Sequence, residues 1–272
     1  MSSKIFKERY SAGYSSKLIQ NYERRKISRE AAFFAPYLKS GMNLLDCGCG
    51  PGTITIGLAQ LVTPGYCTAF DIEPSQIKRA KENALNENVE NIDFRVTNAY
   101  ELPFPDEYFD AAFAHTLLQH IKDPVACLRE ICRVLKPGGI IGVRDDDCSS
   151  IIIAPEAPLV RKVISLLDKH MKFCGGNPNI GRDHRALLRK AGFENTQGSA
   201  STSYHGTDQD IIRCARLGEE LLNSKIIEIS IEQGWIMDED LDVLREALRE
   251  WGQHPDAFEA VIMCEAVGWK PL

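Results

Sequence analysis

The sequence of 272 residues lacks long apolar runs and an excess of positive charge. Apolar runs such as residues 151–154 are far shorter than the roughly 20 residues of a membrane-spanning helix, so no membrane span is expected. Lysine and arginine number 32 against 38 aspartates and glutamates, which gives a net charge of -6. Proteins built mainly to bind nucleic acid need positive charge against the phosphate backbone, so this balance predicts no nucleic-acid partner.

Paired CxxC motifs are also missing, although the sequence holds nine cysteines. Cys47 and Cys49 are separated by one residue, and Cys127 and Cys132 by four, so the spacing favours no zinc site. The N-terminal residues carry charge but no apolar core, and we expect no secretory signal there. These features predict reduced cysteines in a cytoplasmic protein without a metal.

What the sequence does contain is a regular alternation of strands and helices from residue 43 onward. Segments that read as strands occupy residues 43–48, 66–72, 91–99, 108–116, 140–145, 194–204 and 257–269. Segments that read as helices occupy residues 53–62, 73–88, 123–135 and 183–193, with further helical segments over 158–173 and roughly 208–251. The alternation predicts an α/β fold with a doubly wound, mostly parallel sheet covered by helices on both faces.

The stretch "LLDCGCGPGT", residues 44–53, places three glycines at alternate positions directly after the first strand. Glycine lets the backbone approach a ligand closely. A dinucleotide loop of the form G-x-G-x-x-G would need a glycine where Thr53 stands, and a P-loop would need a lysine after the glycines, which is missing. Both phosphate-binding interpretations are therefore disfavoured.

The observed pattern is an acid followed by three alternating glycines, Asp46, Gly48, Gly50 and Gly52. Four later segments follow in order: "FDIEP", "VTNAYELPFPDEYFD", "LREICRVLKPGG" and "LLRKAGF". Together they resemble class I S-adenosylmethionine (SAM)-dependent methyltransferases of the ubiquinone/menaquinone-biosynthesis type. The resemblance implies a seven-stranded Rossmann-like methyltransferase fold with a helical cap, SAM as cofactor, and S-adenosylhomocysteine (SAH) as product.

The glycine loop and the acid after the second strand suit this cofactor. Gly48 and Gly50 leave bare backbone against which the methionine part and the ribose can lie. Asp46 can orient the loop or receive the ammonium group through water. The resemblance implies that Asp71, 21 positions after Gly50, accepts hydrogen bonds from both ribose hydroxyls, which are strong charge-assisted contacts. The alternative for Asp71 is a helix-capping acid before Pro74.

The resemblance extends to the adenine pocket and to the N-terminal segment. Asn98 stands where the family usually has an aspartate, so its amide oxygen would accept from the adenine amino group. The other adenine and ribose candidates are Ile72, Gln76 and Ala99. In the segment "YSAGYSSKLIQNYERRK", Tyr22 and Arg25 would approach the cofactor, with Arg25 facing its carboxylate. The alternative is a solvated helix with half-buried tyrosines.

Catalytic residues are optional here, because the methyl group of a sulfonium is already electrophilic and positioning can supply most of the acceleration. His115, at the end of the fourth strand, is the candidate general base, or a pocket histidine that transfers no proton. We interpret His120 as structural. Arg144 with Asp145–Asp147 is either a solvated edge or an acidic wall that orients an amine.

The resemblance also implies how the chain is organised. The expected parts are an N-terminal helical lid (1–40), the cofactor-binding half of the core (41–155), a helical insertion (156–182), a core helix and strand (183–206), a helical cap over the acceptor site (207–254) and the final strand (255–272). Tyr204, His205 and Trp235 are candidates for lining the acceptor pocket, although core packing is favoured for Trp235.

The predicted activity is methyl transfer from SAM to a small-molecule acceptor, by a monomer or homodimer. One alternative is a SAM-binding protein, such as a cyclase or lyase, that transfers no methyl group. A nucleic-acid methyltransferase is disfavoured a second time, because "AHTL" stands after the fourth strand where DNA amino-methyltransferases carry N/D-P-P-Y/F.

Overall fold

The computed structural model describes residue 13 and residues 15–272; residues 1–12 and 14 of the predicted lid lie outside the described residues. Seven strands form one sheet in the order β3-β2-β1-β4-β5-β7-β6. The strands are β1 (Asn43–Cys47), β2 (Tyr66–Asp71), β3 (Ile92–Val96), β4 (Phe109–His115), β5 (Leu135–Ala154), β6 (Glu194–His205) and β7 (Phe258–Trp269). β1 to β5 pair in parallel, and β7 runs antiparallel to both of its neighbours. The predicted α/β, seven-stranded, mostly parallel sheet is confirmed.

Helices cover both faces of this sheet and continue beyond its edge. They are α1 (Ser16–Tyr22), α2 (Ile27–Glu30), α3 (Thr53–Val62), α4 (Pro74–Asn86), α5 (Pro124–Val134), α6 (Pro158–Phe173), α7 (His184–Ala191), α8 (Asp208–Leu221), α9 (Lys225–Glu232) and α10 (Leu241–Gly252). No helix in the described part of the chain has the length and apolarity that crossing a bilayer requires.

The central strands β1 and β4 are buried on both faces, as parallel strands between two helical layers must be. Their sequences, "NLLDC" and "FDAAFAH", are accordingly almost continuously apolar. Local signals set the helix starts: Pro74 opens α4 and Pro124 opens α5, and the preceding Glu73 and Asp123 side chains accept hydrogen bonds from backbone N–H groups of the first turn. Because β1 pairs in parallel with β2 and with β4, the carboxyl ends of these three strands lie at the same edge of the sheet.

The strand β5 is much longer than the predicted residues 140–145. It pairs with β7 from Ile140 opposite Trp269 to Ala154 opposite Phe258, with an irregularity between Asp147 and Ile152. The polar residues in the second half of β5 lack the apolar pattern by which a strand is recognised, so the sequence did not predict that the strand continues. β3 is shorter than predicted and ends at Val96.

The helices α6, α8, α9 and α10 share an apolar cluster of their own beyond the end of β5. It includes Val163, Leu166, Leu222, Leu248 and Trp251. Leu241, Leu244 and Leu248 lie on one face of α10, which is buried against this cluster. We call these four helices the cap.

Candidate active site

A cavity lies at the carboxyl ends of β1, β2 and β4, where open α/β sheets bind ligands. It brings together every residue that the sequence nominated for the cofactor, although these residues lie up to 93 positions apart in the chain (22 to 115). They are Tyr22, Arg25, Asp46, Gly48, Gly50, Asp71, Ile72, Gln76, Asn98, Ala99 and His115. We call this space the cofactor cavity.

The three glycines of the loop all have positive φ, at 73° for Gly48, 52° for Gly50 and 77° for Gly52. A Cβ at Gly52 would stand 2.8 Å from the Cβ of Ala80 on α4, whereas a Cβ at Gly50 would meet no described atom within 4 Å. Gly52 therefore allows α3 and α4 to pack closely, while Gly50 borders open space. That space is where the sequence placed the cofactor.

Substituting these two glycines should separate binding from stability. We expect Gly50→Ala to cost about 1 kcal/mol of stability, from the positive φ alone, and to weaken SAH binding about 10-fold or more, because the methyl group enters the cavity. Gly52→Ala should lose more stability than Gly50→Ala, since its methyl group overlaps Ala80. Urea denaturation and calorimetric SAH titration measure the two effects, and unchanged SAH affinity in Gly50→Ala would remove the loop from the binding site.

Asp71 ties the end of β2 to the glycine loop. Its Oδ2 accepts from the backbone N–H of Gly50 at 3.0 Å and its Oδ1 from that of Glu73 at 2.9 Å. Burial raises the pKa of Asp71, although these backbone hydrogen bonds oppose the rise. An ionised carboxylate accepts about four hydrogen bonds, so both oxygens keep capacity for ribose hydroxyls. The hydrogen bond from Glu73 at the start of α4 agrees with the helix-capping alternative. The hydrogen bond from Gly50 joins Asp71 to the glycine loop, which helix capping does not explain.

The side chain of Gln76 provides an independent indication of a ligand. It is 4% exposed, and its Oε1 has no hydrogen-bond partner among the described residues. A buried amide oxygen without a donor is costly, and an adenosine hydroxyl or amino group in the cavity would supply one. Ile72 beside it is half exposed, as an apolar contact for an adenine ring would be before the ligand binds.

Asn98 already uses its amide oxygen within its own turn. Oδ1 accepts from the backbone N–H of Tyr100 at 3.0 Å, and Ala99 is buried beside it. A carbonyl oxygen has two lone pairs, so one remains for an adenine amino group. The contact of Asn98 Oδ1 with the adenine amino group stays a prediction.

Asp46 is buried under the loop and accepts a hydrogen bond from Thr55 Oγ1 at 2.6 Å. Burial raises its pKa to about 7; the Thr55 hydrogen bond lowers it and the nearby charge of Asp71 raises it further. Near neutral pH this carboxyl therefore changes between its protonated and charged forms. A nearby ammonium group would favour the charged form.

The raised pKa of Asp46 gives stability a predictable pH dependence. Between the unfolded and the folded pKa, the native state binds more protons than the unfolded chain, so stability falls as pH rises. From about pH 5.5 to about pH 7.5 the free energy of unfolding should fall by about 2 kcal/mol more in the parent than in Asp46→Asn. Urea denaturation across this range tests the difference, and equal slopes in the two proteins would contradict it.

The N-terminal segment covers the cofactor cavity. Arg25 lies 4.3 Å from the ring centroid of Tyr22 and donates from Nη1 to Thr116 Oγ1 at 3.2 Å. The segment is held to α4 by Arg79, whose Nε and Nη2 lie 2.5 and 3.1 Å from the carboxylate oxygens of Glu23. Tyr22 and Arg25 are both half-buried and line the cavity; their approach to the cofactor stays a prediction.

His115 belongs to a buried network. Its Nε2 lies 2.8 Å from Arg144 Nη1 and 3.2 Å from Glu30 Oε2, and its Nδ1 lies 3.4 Å from Thr116 Oγ1. Burial lowers the pKa of His115 to about 4, although Glu30 opposes this. Depending on its tautomer, the imidazole accepts at Nε2 from the Arg144 guanidinium or donates from Nε2 to the Glu30 carboxylate, so this nitrogen is engaged inside the protein in either case.

Arg144 on β5 contacts side chains of β4, β6 and β7 and also pairs with the N-terminal segment. It is fully buried and pairs with Glu30 at 2.5 Å and with Glu265 on β7 at 3.3 Å. Burial alone would raise the pKa of Glu30, but His115 and the positive charges of Arg144 and Arg25 hold it at about 2. The role of Glu30 was not predictable from the sequence, because the local pattern "ISREAAF" has no feature that distinguishes this residue from an acid on the protein surface.

The solvated-edge interpretation of Arg144 and Asp145 is wrong. Asp145 is also fully buried and lies 2.9 Å from the Nε2 of His184. Asp147 pairs with Arg182 at 2.5 Å. These residues lie inside the extended β5, and ion pairs and hydrogen bonds compensate their burial.

A second cavity of about 600 Å³ lies between α1, the ends of β5 and β7, and the cap. We call it the cap cavity. Tyr22, Arg25, Thr116 and His120 line both cavities, so the two meet there. The apolar wall of the cap cavity includes Val160, Val163, Ile164, Leu167, Leu217 and Trp251; its acids include Asp146, Asp168 and Glu259.

The cap cavity changes the interpretation of several residues. His120, interpreted as structural, stands at the junction, and burial lowers its pKa to about 3. His205 lines the cap cavity. Tyr204 is exposed, and Trp235 packs against Phe173 with ring centroids 5.9 Å apart. Within the described residues, no group of three or more His, Cys, Asp or Glu side chains is placed to hold a metal ion.

Comparison with known proteins gives consistent results. Residues 38–201 match a family model described as a methyltransferase domain. An uncharacterized methyltransferase of Schizosaccharomyces pombe is 35% identical to this chain over 206 residues, which is 71% of this chain and 72% of that protein. A demethylmenaquinone methyltransferase of Listeria monocytogenes is 35% identical over 109 residues, which is 40% of this chain and 46% of that protein.

Solved structures share the fold at low sequence identity. A SAM-dependent methyltransferase from Aquifex aeolicus superposes with a TM-score of 0.51 and 20% identity, covering 67% of this chain and 90% of that one. At this identity the likeness concerns the fold.

Proposed function

Since this chain belongs to the methyltransferase-domain family and is a SAM-dependent methyltransferase, we propose that it methylates a small organic molecule bound in the cap cavity. The observation that carries the proposal is the junction of the two cavities at Tyr22, Arg25, Thr116 and His120. A molecule in the cap cavity would face the cofactor across these side chains. The volume of about 600 Å³ falls in the range of small-ligand pockets, which is roughly 300 to 1,000 Å³.

The character of the cap cavity supports a small acceptor over a nucleic acid. Its walls are apolar with several carboxylic acids, and acids repel a phosphate backbone. Demethylmenaquinone methyltransferase, by its name, acts on a small molecule, which also favours this class of acceptor.

SAM supplies an electrophilic methyl group on a positively charged sulfur. The residues of the cofactor cavity would bind and orient it: Asp71 and Gln76 toward the adenosine, bare backbone at Gly50 beneath it, and Arg25 toward its carboxylate. The segment that carries Tyr22 and Arg25 would exclude water. In-line displacement then depends mainly on holding the acceptor atom opposite the sulfur.

His115 fits a positioning role better than that of a general base. Its Nε2 is engaged by Arg144 and Glu30, and a pKa of about 4 leaves the imidazole a weak base at neutral pH. Together with Arg144 and Glu30 it holds the N-terminal segment against the carboxyl end of β4 and the middle of β5. We propose that catalysis proceeds without proton transfer by His115.

Transfer of a labelled methyl group from SAM tests the proposed function. The protein is incubated with labelled SAM and a panel of small amines, phenols, thiols and quinones, and separately with DNA and RNA oligonucleotides. We expect methylation of at least one small acceptor and of no oligonucleotide. Calorimetry provides the cofactor affinity in parallel. Binding of SAM without transfer to any acceptor would overturn the proposal in favour of a SAM-binding protein of another function.

We also propose that the protein works in the reducing environment of the cytoplasm. None of the nine cysteines, all of which lie in the described part of the chain, forms a disulfide. Burial raises the pKa of Cys47 and of Cys67 well above its usual value, which keeps both thiols protonated and unreactive.

A further inference from the structure

Resting on the proposed function, we propose that the acceptor is an apolar amine whose nitrogen binds at Asp146 and Gln119 in the cap cavity. The two residues come from different elements: Asp146 lies on β5, two residues after Arg144, and Gln119 lies in the short turn of helix after β4. Both line the cap cavity. The proposal assigns a chemical class to the acceptor of the methyl group.

Asp146 stands close to the junction of the two cavities. It lies beside the Gln119 side chain, which lowers its pKa, and within electrostatic reach of Arg25. Burial raises the pKa of Asp146, while Arg25 and Arg144 lower it and Asp145 raises it. A carboxylate held in these surroundings gains from a positively charged ligand that reaches it.

The remaining acids of the cap cavity are less available. Asp168 lies beside the Cys148 thiol and Glu259 beside the Cys214 thiol; each thiol lowers the pKa of its acid, which burial raises. Glu259 and Asp146 are near enough for each to disfavour the other's negative charge. Asp146 is therefore the acid best placed to bind a ligand beside the methyl donor.

Gln119 gives an observation independent of the acids. It is 5% exposed; its backbone N–H donates to Asp145 Oδ1 at 3.2 Å, and its Nε2 lies 3.2 Å from His120 Nε2. Its Oε1 has no hydrogen-bond partner among the described residues. A buried acceptor of this kind requires a donor, and an amine brings N–H groups that serve Oε1 and Asp146 together.

The charge of the cavity distinguishes an amine from other nucleophiles. A phenol or thiol reacts best as its anion, and Asp146 and Glu259 would repel that anion. A neutral amine meets no such repulsion, and an ammonium is attracted by these acids against the opposing charge of Arg25. The apolar side chains of α6, α8 and α10 leave the rest of the cavity to a hydrocarbon or aromatic body.

The transfer balances with Asp146 as a transient proton acceptor. An ammonium that binds at Asp146 passes one proton to the carboxylate and from there to water, which frees the nitrogen lone pair. That lone pair forms the N–CH₃ bond while the C–S bond of SAM breaks, and the electron pair of the broken bond stays on sulfur, giving the thioether SAH. The positive charge moves from sulfur to nitrogen, and the product leaves as a methylammonium ion.

Binding to the SAH-loaded protein tests the amine site without requiring turnover. Calorimetric titration uses phenethylamine and decylamine, with phenethyl alcohol, phenethyl thiol and ethylphenol as matched compounds. We expect the amines to bind most tightly, and Asp146→Asn to weaken amine binding by about 10-fold to 100-fold. Asp242→Asn on the exposed surface of α10 is the control and should bind amines like the parent. Unchanged SAH affinity shows that the Asp146→Asn protein is folded.

The outcomes separate this proposal from the proposed function. Tight amine binding that depends on Asp146, followed by N-methylation, supports both. The same binding with no transfer to any acceptor keeps the amine site but overturns the proposed function. Methylation of ethylphenol or the thiol, with amines neither bound nor methylated, overturns the amine site alone. Equal amine affinities in Asp146→Asn and the parent also overturn it.

Discussion

Replacing Asp71 by alanine should weaken SAH binding about 100-fold or more, since two charge-assisted contacts to ribose hydroxyls would be lost, at about 1.5 to 3 kcal/mol each. The substitution also removes the acceptors for the backbone N–H groups of Gly50 and Glu73. The glycine loop would then lose its link to β2, which adds to the loss of affinity. Calorimetric titration with SAH measures the effect.

Two further variants make this test specific. Asp71→Asn keeps one oxygen acceptor and should lie between the parent and Asp71→Ala in SAH affinity. Asp93→Ala removes an acid from the adjacent strand β3, where it pairs with Arg95 at 2.5 Å on the surface, and should bind SAH like the parent. Equal SAH affinities in Asp71→Ala and the parent, with both proteins folded, would contradict the assignment of the cofactor cavity.

Arg144→Met should cost about 3 to 5 kcal/mol of stability, because it leaves the buried Glu30 and Glu265 without their cation. The guanidinium also contacts Ser201 Oγ at 3.2 Å. Since Glu30 lies on α2, the N-terminal segment loses an anchor, and SAH affinity should fall together with stability. Urea denaturation gives the free energy of unfolding.

A surface ion pair provides the matched control. Arg161 pairs with Glu156 at 2.7 Å, but both side chains are exposed, so Arg161→Met should cost only about 0 to 1 kcal/mol. The double variant Arg144→Met/Glu30→Gln should lose less stability than the sum of the two single changes, since the second change removes the uncompensated charge. A loss below about 1 kcal/mol in Arg144→Met would show that the network is not a major source of stability.

The cofactor cavity was predictable because its residues lie in short local motifs. Gly48 and Gly50 lie in the loop directly after β1 and Asp71 is the last residue of β2, and parallel strands carry their carboxyl ends to the same edge of a sheet. Sequence spacing therefore implied spatial proximity. The hydrogen-bond state of each group, such as the unpartnered Oε1 of Gln76, was not predictable, since it depends on neighbours from other elements.

The cap cavity shows the opposite case. Asp146 was only one of three adjacent acids in the sequence, and the burial of its neighbours Arg144 and Asp145 depends on Glu30 and His184. Glu30 and Arg144 are 114 positions apart. No local pattern encodes that meeting.

By itself, the sequence determined the alternating strands and helices, the glycine loop and the position of Asp71 at the end of β2. These are set by hydrophobic periodicity and backbone conformation, which are local properties of a chain. Only the tertiary structure decided that β5 continues to Ala154 along β7, that Arg144 is buried between Glu30 and Glu265, and that the cap borders a cavity that meets the cofactor cavity. These features arise from pairing and burial between distant segments, and their free energy exists only once those segments have packed together.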